Sequence, residues 1–337
     1  MQVDVPSSAA VLGDATWLAH RYDPTHDAFH YRLVPRSART AVPFLTDDCL
    51  GVAEPVPVIS RLDAATATPP GRIHFIFHSA FCASTMLVHA FDRPGVAAGL
   101  SEPVILNDLV GWRRRGADAR QHGRVTHDAL AQLARPFAKG EAVIVKPSNV
   151  INPLAAGMLT LRPDAKALLL HAPLPAFLAS VARKGLWCRL WVRELLEGYL
   201  ADGALDLGFG PRDYFRQSDL QVAAVGWVAQ HAIFHALAAR FGNTRIRTLD
   251  SERLVGDPET VTAAVARHFG LPRISGGHPA FGTDSKTGHA FPIGQRDREQ
   301  TAARAAHEEE ISKVVDWTHA VAAQAGIPLD LPSPVQP

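Results

Sequence analysis

The strongest constraint in this chain is a series of short apolar runs, each ending abruptly in polar residues and each followed by a stretch of helical character. Residues 73–77, 142–145 and 167–170 are such runs, with Val96 to Leu100 and Arg245 to Leu249 as two less uniform relatives. The first three carry no charge and no polar–apolar alternation, the pattern of strands buried on both faces. Between and after the runs, residues 85–92, 106–138, 153–161, 175–184, 187–200, 218–241, 259–269 and 299–325 read as helices. Val225, Val228, Ala232 and Leu237 lie on one stripe of the longest of these,. Strands alternating with helices imply an α/β fold, with a central parallel sheet flanked by helices in three layers.

The first 70 residues do not share that rhythm. His30-Tyr31-Arg32-Leu33 alternates as a strand does, and a second extended candidate at 51–59 is interrupted by Pro55 and Pro57, which suits an edge strand or a loop,. Pro69-Pro70-Gly71 then breaks the chain,. The expected organisation is an N-terminal extension over 1–70, holding a small hairpin packed on the core, and an α/β domain over 71–330. A chain of 337 residues has ample length to bury a core,.

Charge and cysteine content narrow the function. Lys and Arg number 34 against 33 Asp and Glu, a formal net charge of +1. That balance disfavours nucleic acid as a partner held by bulk phosphate neutralisation. Cys49, Cys82 and Cys188 are far apart, which argues against a disulfide framework or a thiolate zinc site and for a reducing, cytoplasmic setting,. The N-terminus lacks the basic-then-apolar pattern of a signal peptide. No stretch approaches the ~18 consecutive apolar residues of a membrane span. The composition, rich in Ala, Arg, Pro and His, suggests a bacterial source.

Chemistry is expected where the strands end, because open α/β sheets bind ligands beyond the carboxyl ends of their strands. Three ends are polar: His78-Ser79, Lys146-Pro147-Ser148 and His171. The first is the most informative. Ser79, Ala80, Phe81, Cys82, Ala83, Ser84 and Thr85 join a strand to a helix through small residues, a geometry in which backbone N–H groups and hydroxyls can surround a phosphate-like anion,. The Gly-Lys pair that a Walker A loop places before its Ser or Thr is absent, since Cys82 and Ala83 precede Ser84,. The competing reading of the same residues is a tight turn with Ser84 as a helix cap.

In these features the chain resembles the sulfotransferases that use 3′-phosphoadenosine 5′-phosphosulfate (PAPS), which share a P-loop nucleoside-triphosphatase-like fold. Residues 80–85 resemble the loop that holds the 5′-phosphosulfate. Leu100-Ser101-Glu102-Pro103 resembles a Glu-Pro step of bacterial members, and Val143-Ile144-Val145-Lys146 the strand that ends in the family's catalytic Lys. Residues 165–173 with Ser180 resemble the segment that binds the 3′-phosphate, residues 249–271 the late strand–helix unit, and Ser285-Lys286-Thr287-Gly288-His289 the basic loop that folds over the nucleotide. The resemblance spans roughly residues 72–298 and lies in the order of the motifs. It departs from the family at five points: Phe81 stands in place of the loop Lys, Ala83 of the Gly, His171 of the 3′-phosphate Arg and Ser148 of the base His, and the matching Ser sits one residue later than usual, at Ser180.

The resemblance implies PAPS as donor, no metal, and Lys146 as the group that neutralises charge on the leaving oxygen. It implies Ser79 to Thr85, His171, Ser180, Lys286, Thr287 and Gly288 as donor contacts. Arg296 and Arg298 lie close behind Lys286. Sulfuryl transfer also needs a base for the acceptor hydroxyl. Glu102 is the first choice, with His78 and His289 as alternatives. His231 and His235 lie four residues apart on one helix, where two imidazoles can share a face, but no acidic residue lies between them and a core or surface pair is the better reading,. Trp187, Trp191 and Phe177 read as core more than as a platform for adenine. The leading expectation is a PAPS-dependent sulfotransferase acting on a small-molecule, lipid or sugar acceptor. The alternative is a P-loop-fold protein that binds a nucleotide or phosphate and transfers nothing.

Overall fold

In the computed structural model, residues 6–53, 56–67, 71–274, 277–283 and 305–336 are described. Eight strands occur among them: Trp17–Asp23 (β1), Ala28–Leu33 (β2), Val58–Ser60 (β3), Arg72–His78 (β4), Ala97–Ser101 (β5), Ala142–Lys146 (β6), Ala167–His171 (β7) and Ile246–Asp250 (β8). β4 to β8 form one sheet in the order β5-β6-β4-β7-β8 with every neighbouring pair parallel. The chain passes from β4 out to β5, returns to β6 between them, then crosses to β7 on the other side of β4. The carboxyl ends of β6, β4 and β7 therefore meet at the topological switch point.

Alternate residues of each strand feed two different cores. Ile73, Phe75 and Phe77 of β4, Val143 and Val145 of β6, and Ala167 and Leu169 of β7 pack into one cluster. Ile76, Ile144, Leu168 and Leu170 pack into the other, with Leu87, Phe177, Leu178 and Phe269 from the covering helices. A sheet apolar on both faces must be covered on both, which explains why its strands read as uninterrupted apolar runs. The three-layer α/β architecture expected from the sequence is the one observed.

β1, β2 and β3 form a separate antiparallel sheet. Among the described residues of the extended candidate at 51–59, the pairing stretch is the short β3, preceded by the Pro57 carbonyl, which accepts from the Tyr31 N–H at 2.8 Å. Phe29 and Tyr31 pack into the same cluster as Leu100, Leu106 and Leu130 of the main fold. Arg135 ties the two regions together. Its buried guanidinium donates to the carbonyls of Val11 at 3.0 Å, Leu12 at 3.1 Å and Asp14 at 3.4 Å, and also to that of Trp17.

Several helices differ from their expected bounds. The single helix expected over 106–138 is two, Ile105–Arg114 and Ala119–Leu133, with Gly116 in the left-handed region between them. The stretch at 153–161 begins as a 3-10 turn, Asn149–Leu154, before the α-helix Ala155–Leu161, because Pro153 cannot donate a backbone hydrogen bond,. Pro211–Arg216 and Ser251–Gly256 are short helices outside the helical stretches expected from the sequence. Asp257 caps Pro258–Phe269 by accepting from the Thr260 N–H, and Gly270 ends it at φ 67°. The last helix is described from Glu308 to Gln324, and the part expected over 299–304 lies outside the described residues.

The helix Asp219–Arg245 is long and apolar enough to cross a membrane by length and composition, although no uninterrupted apolar run marks it. In this fold 67% of its most apolar window is buried inside the protein. On the far edge, β8 is covered by the C-terminal tail: Thr248 N–H donates to the Ser333 carbonyl at 3.0 Å, and Val335 N–H returns to the Thr248 carbonyl at 2.9 Å. This pairing satisfies backbone groups that an open edge would expose.

Burial makes several histidines reluctant bases. It pulls His74 down to about 3, and His89 and His268 down to about 4. Their folded values lie below the unfolded one, so the unfolded chain takes up protons that the native chain refuses. Stability is thus full above pH ~6.5 and falls as the pH drops toward 4, by about 1.4 kcal/mol per pH unit for each such histidine. Urea unfolding at pH 7.5, 6.5 and 5.5 is expected to show this decline. A flat profile would contradict the burial of these rings.

Candidate active site

The register of two strands brings Lys146 and Glu102 together. Ser101 of β5 pairs with Lys146 of β6, so Glu102 follows at the strand end directly beside the lysine. Its N–H donates to the Lys146 carbonyl at 2.7 Å, and its backbone turns into the left-handed region at φ 49°. The Lys146 side chain is 1% exposed. Its ammonium pairs with Glu102 Oε1, lies 3.5 Å from Thr85 Oγ1, and stands 4.8 Å from the centre of the Phe44 ring. Sequence reasoning missed Phe44, which comes from the N-terminal region.

His78 lies close by, its Nε2 3.9 Å from Glu102 Oε1. Both ring nitrogens are engaged by the backbone. Nε2–H donates to the Pro147 carbonyl at 3.0 Å, and Nδ1 accepts from the Ala80 N–H at 3.1 Å; these partners assign the tautomer,. Burial, with the Lys146 charge adding to it, holds the ring neutral far below the usual histidine range.

The loop after β4 has an unusual backbone. Ala80, Phe81 and Ala83 have φ of 71°, 53° and 58°, a left-handed conformation that side chains disfavour,. Among the described residues the N–H groups of Phe81, Cys82 and Ala83 make no backbone hydrogen bond. The first bond of the helix Ser84–Ala90 runs from the Leu87 N–H to the Ala83 carbonyl, so the N–H groups of Ser84, Thr85 and Met86 also precede any intrahelical partner,. Successive N–H groups in such a turn make a concavity suited to an anion. Cys82 is 1% exposed and burial pushes its thiol up to about 11.

A buried polar network holds this loop from behind. Ser79 Oγ accepts from the Ala172 N–H at 3.0 Å. Asn152 Nδ2 donates to the His78 carbonyl at 3.1 Å and to Gln230 Oε1 at 3.2 Å. Gln230 Nε2 reaches the Ser79 carbonyl at 3.4 Å, and Tyr199 OH donates to the Asn149 carbonyl at 2.7 Å. Asn149, Asn152, Tyr199 and Gln230 were not among the sequence candidates. The available signal was a glutamine inside the apolar stretch of a long helix.

The remaining candidates are spread more widely. Phe81, at the position where the resemblance puts a Lys, packs its ring against Phe177 at 5.6 Å and Trp191 at 5.8 Å, with Lys184 Nζ 5.4 Å from its centre. Trp187 stacks on Trp191 but is 65% exposed, whereas Phe177 is core. His171 ends β7 and sets its ring against His231 at 5.4 Å; burial lowers its pKa. Ser180 donates to the Ala176 carbonyl of its own helix at 2.9 Å. His231 donates through Nδ1 to the Trp227 carbonyl at 3.0 Å, and among the described residues no group of three or more His, Cys, Asp or Glu converges as a metal site would require. Lys286, Thr287, Gly288, His289, Arg296 and Arg298 lie outside the described residues. A cavity of about 240 Å³ in the N-terminal region, lined by residues including His20, Tyr31, Arg32 and Asp47, contains none of the candidates.

No family model matches the sequence, and no curated protein matches it. Solved structures with a similar course include the sulfotransferase domain from the curacin biosynthetic pathway, at 15% identity and a TM-score of 0.42, covering 79% of this chain and 100% of that one. A second is the sulfotransferase domain from the Synechococcus PCC 7002 olefin synthase, at 15% identity and 0.39, covering 80% and 92%. A third is sulfotransferase STF9 from Mycobacterium avium, at 11% and 0.46, covering 81% of each. Likeness at this level carries no argument for function.

The loop backbone makes a prediction of its own. Glycine relieves the left-handed penalty at Ala83, offset in part by its greater freedom in the unfolded chain. Ala83→Gly is expected to raise stability by about 0.5–1 kcal/mol. Denaturant titration checks this, and a destabilised variant would mean that the loop does not hold the conformation described.

Proposed function

We propose that this chain transfers a sulfuryl group from PAPS to a hydroxyl or amine of a small-molecule, lipid or sugar acceptor. The observation that carries the reading is the Lys146–Glu102 pair, buried beside a left-handed, N–H-rich loop at the carboxyl ends of three parallel strands. The motif order described above supports the same reading. So does the chemistry, since group transfer of this kind is achieved mainly by positioning and electrostatics.

In this reading the donor supplies the sulfuryl group and an anionic leaving oxygen. The N–H groups of the loop, with the hydroxyls of Ser84 and Thr85, hold the anionic end. Lys146 neutralises charge on the bridging oxygen as the sulfur–oxygen bond breaks. Glu102 and the Thr85 hydroxyl hold the ammonium at the strand end where the donor's bridging oxygen would sit. Glu102 takes the proton from the acceptor as the new bond to sulfur forms. Its side chain is 18% exposed against 1% for Lys146, so an acceptor arriving from solvent meets the carboxylate first. His78 shapes the loop and is not the base, because both of its nitrogens already hold backbone groups. His171, Ser180 and residues 286–288 remain the proposed contacts for the 3′-phosphate side. Three free cysteines agree with a cytoplasmic setting,.

Calorimetric binding of adenosine 3′,5′-bisphosphate, with ADP and ATP as controls, tests the donor. Selective binding of the bisphosphate is expected. Equal or absent binding would replace this reading with phosphate binding without transfer. Lys146→Ala is expected to abolish turnover, and Ser84→Ala to weaken donor binding by roughly 1–3 kcal/mol. Unchanged activity in the first variant would remove Lys146 from the reaction, and unchanged affinity in the second would return Ser84 to capping.

A further inference from the structure

A neighbour of the Lys146 ammonium that the motifs do not account for is the ring of Phe44, 4.8 Å from Nζ. Phe44 belongs to the N-terminal region, far from the α/β motifs in sequence, yet the chain on both sides of it is fixed to the site. Ser101 Oγ donates to the Pro43 carbonyl at 2.7 Å. The Leu45 N–H donates to the Ser101 carbonyl at 2.8 Å, and the Val104 N–H to the Leu45 carbonyl at 3.2 Å. Leu45 is fully buried in the core that also holds Leu100, Ile105 and Val145. Residues 43–45 are thus laid along the end of β5 and the start of the following helix, on either side of Glu102. Phe44 has little choice but to face the lysine.

An aromatic face differs in kind from the other neighbours of this ammonium. It attracts the cation through its quadrupole and offers no lone pair that would occupy an N–H hydrogen. A second carboxylate there would bind a hydrogen and cancel the charge. Water would solvate the charge and loosen the lysine from Glu102. A ring covers one side of the ammonium and favours its charged form without supplying a further acceptor,.

We infer that Phe44 is a positioning residue for Lys146, and that the 43–45 segment of the N-terminal region is part of the active centre. Phe44 acts through the lysine and is not itself catalytic. Its catalytic meaning rests on the sulfuryl-transfer reading, but its contact with the lysine does not.

The test is pulse labelling of the full chain with acetic anhydride, read at Lys146 by mass spectrometry in the wild type, Phe44→Leu and Phe44→Tyr. The reagent attacks only the neutral amine. Leucine retains an apolar cover and removes the ring, so Phe44→Leu is expected to label at Lys146 several-fold faster, while Phe44→Tyr, which restores a ring, labels like the wild type. The other lysines serve as internal controls. Equal labelling in the leucine and tyrosine variants would reduce Phe44 to filler and overturn the inference. The labelling needs no donor, so it is decided even if bisphosphate binding fails. Where transfer is observed, Phe44→Leu is expected to lower kcat and leave the bisphosphate Kd unchanged. A change confined to Kd would also overturn the positioning role.

Discussion

An ammonium at 1% exposure is the constraint around which this site is organised. Removing such a charge from water is costly unless good partners replace the solvent. Lys146 has a carboxylate, a hydroxyl and an aromatic face, drawn from β5, the helix after β4 and the N-terminal region. None of these arrives by local sequence. The carboxylate depends on the β5–β6 register, and a slip of one residue would send the lysine to the opposite face of the sheet,. The aromatic face depends on the hydrogen bonds that stitch residues 43–45 to the end of β5. The doubly buried sheet and the N-terminal sheet packed on it are therefore conditions for the charged pair as well as scaffolding.

The second feature that needs explanation is the loop. Three side-chain-bearing residues in left-handed conformation each cost on the order of 1 kcal/mol or more, and such geometry persists only where surroundings impose it,. Here the imposition is visible. The imidazole of His78 bridges the Ala80 N–H and the Pro147 carbonyl, while Asn152 and Gln230 hold the carbonyls of His78 and Ser79. Phe81 is wedged among Phe177, Trp191 and Lys184. A simple strand-to-helix turn would not need so many buried polar groups behind it. The outlay in strain and desolvation is intelligible if the loop must keep its N–H groups aimed in one direction.

The parallel sheet was legible because strands buried on both faces leave uncharged apolar runs, and β4, β6 and β7 do so. The meeting of Lys146 with Glu102 was half legible: both were read as strand ends, but only the β5–β6 pairing makes those ends neighbours. The split of residues 106–138 was marked by Gly116, which the helical reading passed over. Phe44 was out of reach, because a lone aromatic in an extended segment has no local pattern that points to a lysine 102 positions away. The polar network was hidden for a related reason: Asn149, Asn152, Tyr199 and Gln230 are separated in the chain and converge only through packing. The helix Asp219–Arg245 was expected to be apolar along one stripe, yet from Val222 to His231 it is buried all round, since it is packed by other helices and by β8.

Phe81 stands where the resemblance implies a lysine, and the cations near it come from elsewhere in the fold. A lysine in the loop would have delivered positive charge directly. Phe81 cannot, and burial keeps His171 from compensating by holding it toward the neutral form. The structure nevertheless puts the Lys184 ammonium 5.4 Å from the centre of the Phe81 ring, so a cation stands next to the loop from the end of a neighbouring helix. On the other side, Lys146 stands over the Phe44 ring. Lys146 and Lys184 thus flank the loop region, each against an aromatic face, and Lys146 is also paired with the Glu102 carboxylate,. Positive potential at such a site depends on where ammonium groups end up in space, and a scan for Gly-Lys before Ser84 cannot detect charge delivered from elsewhere in the fold.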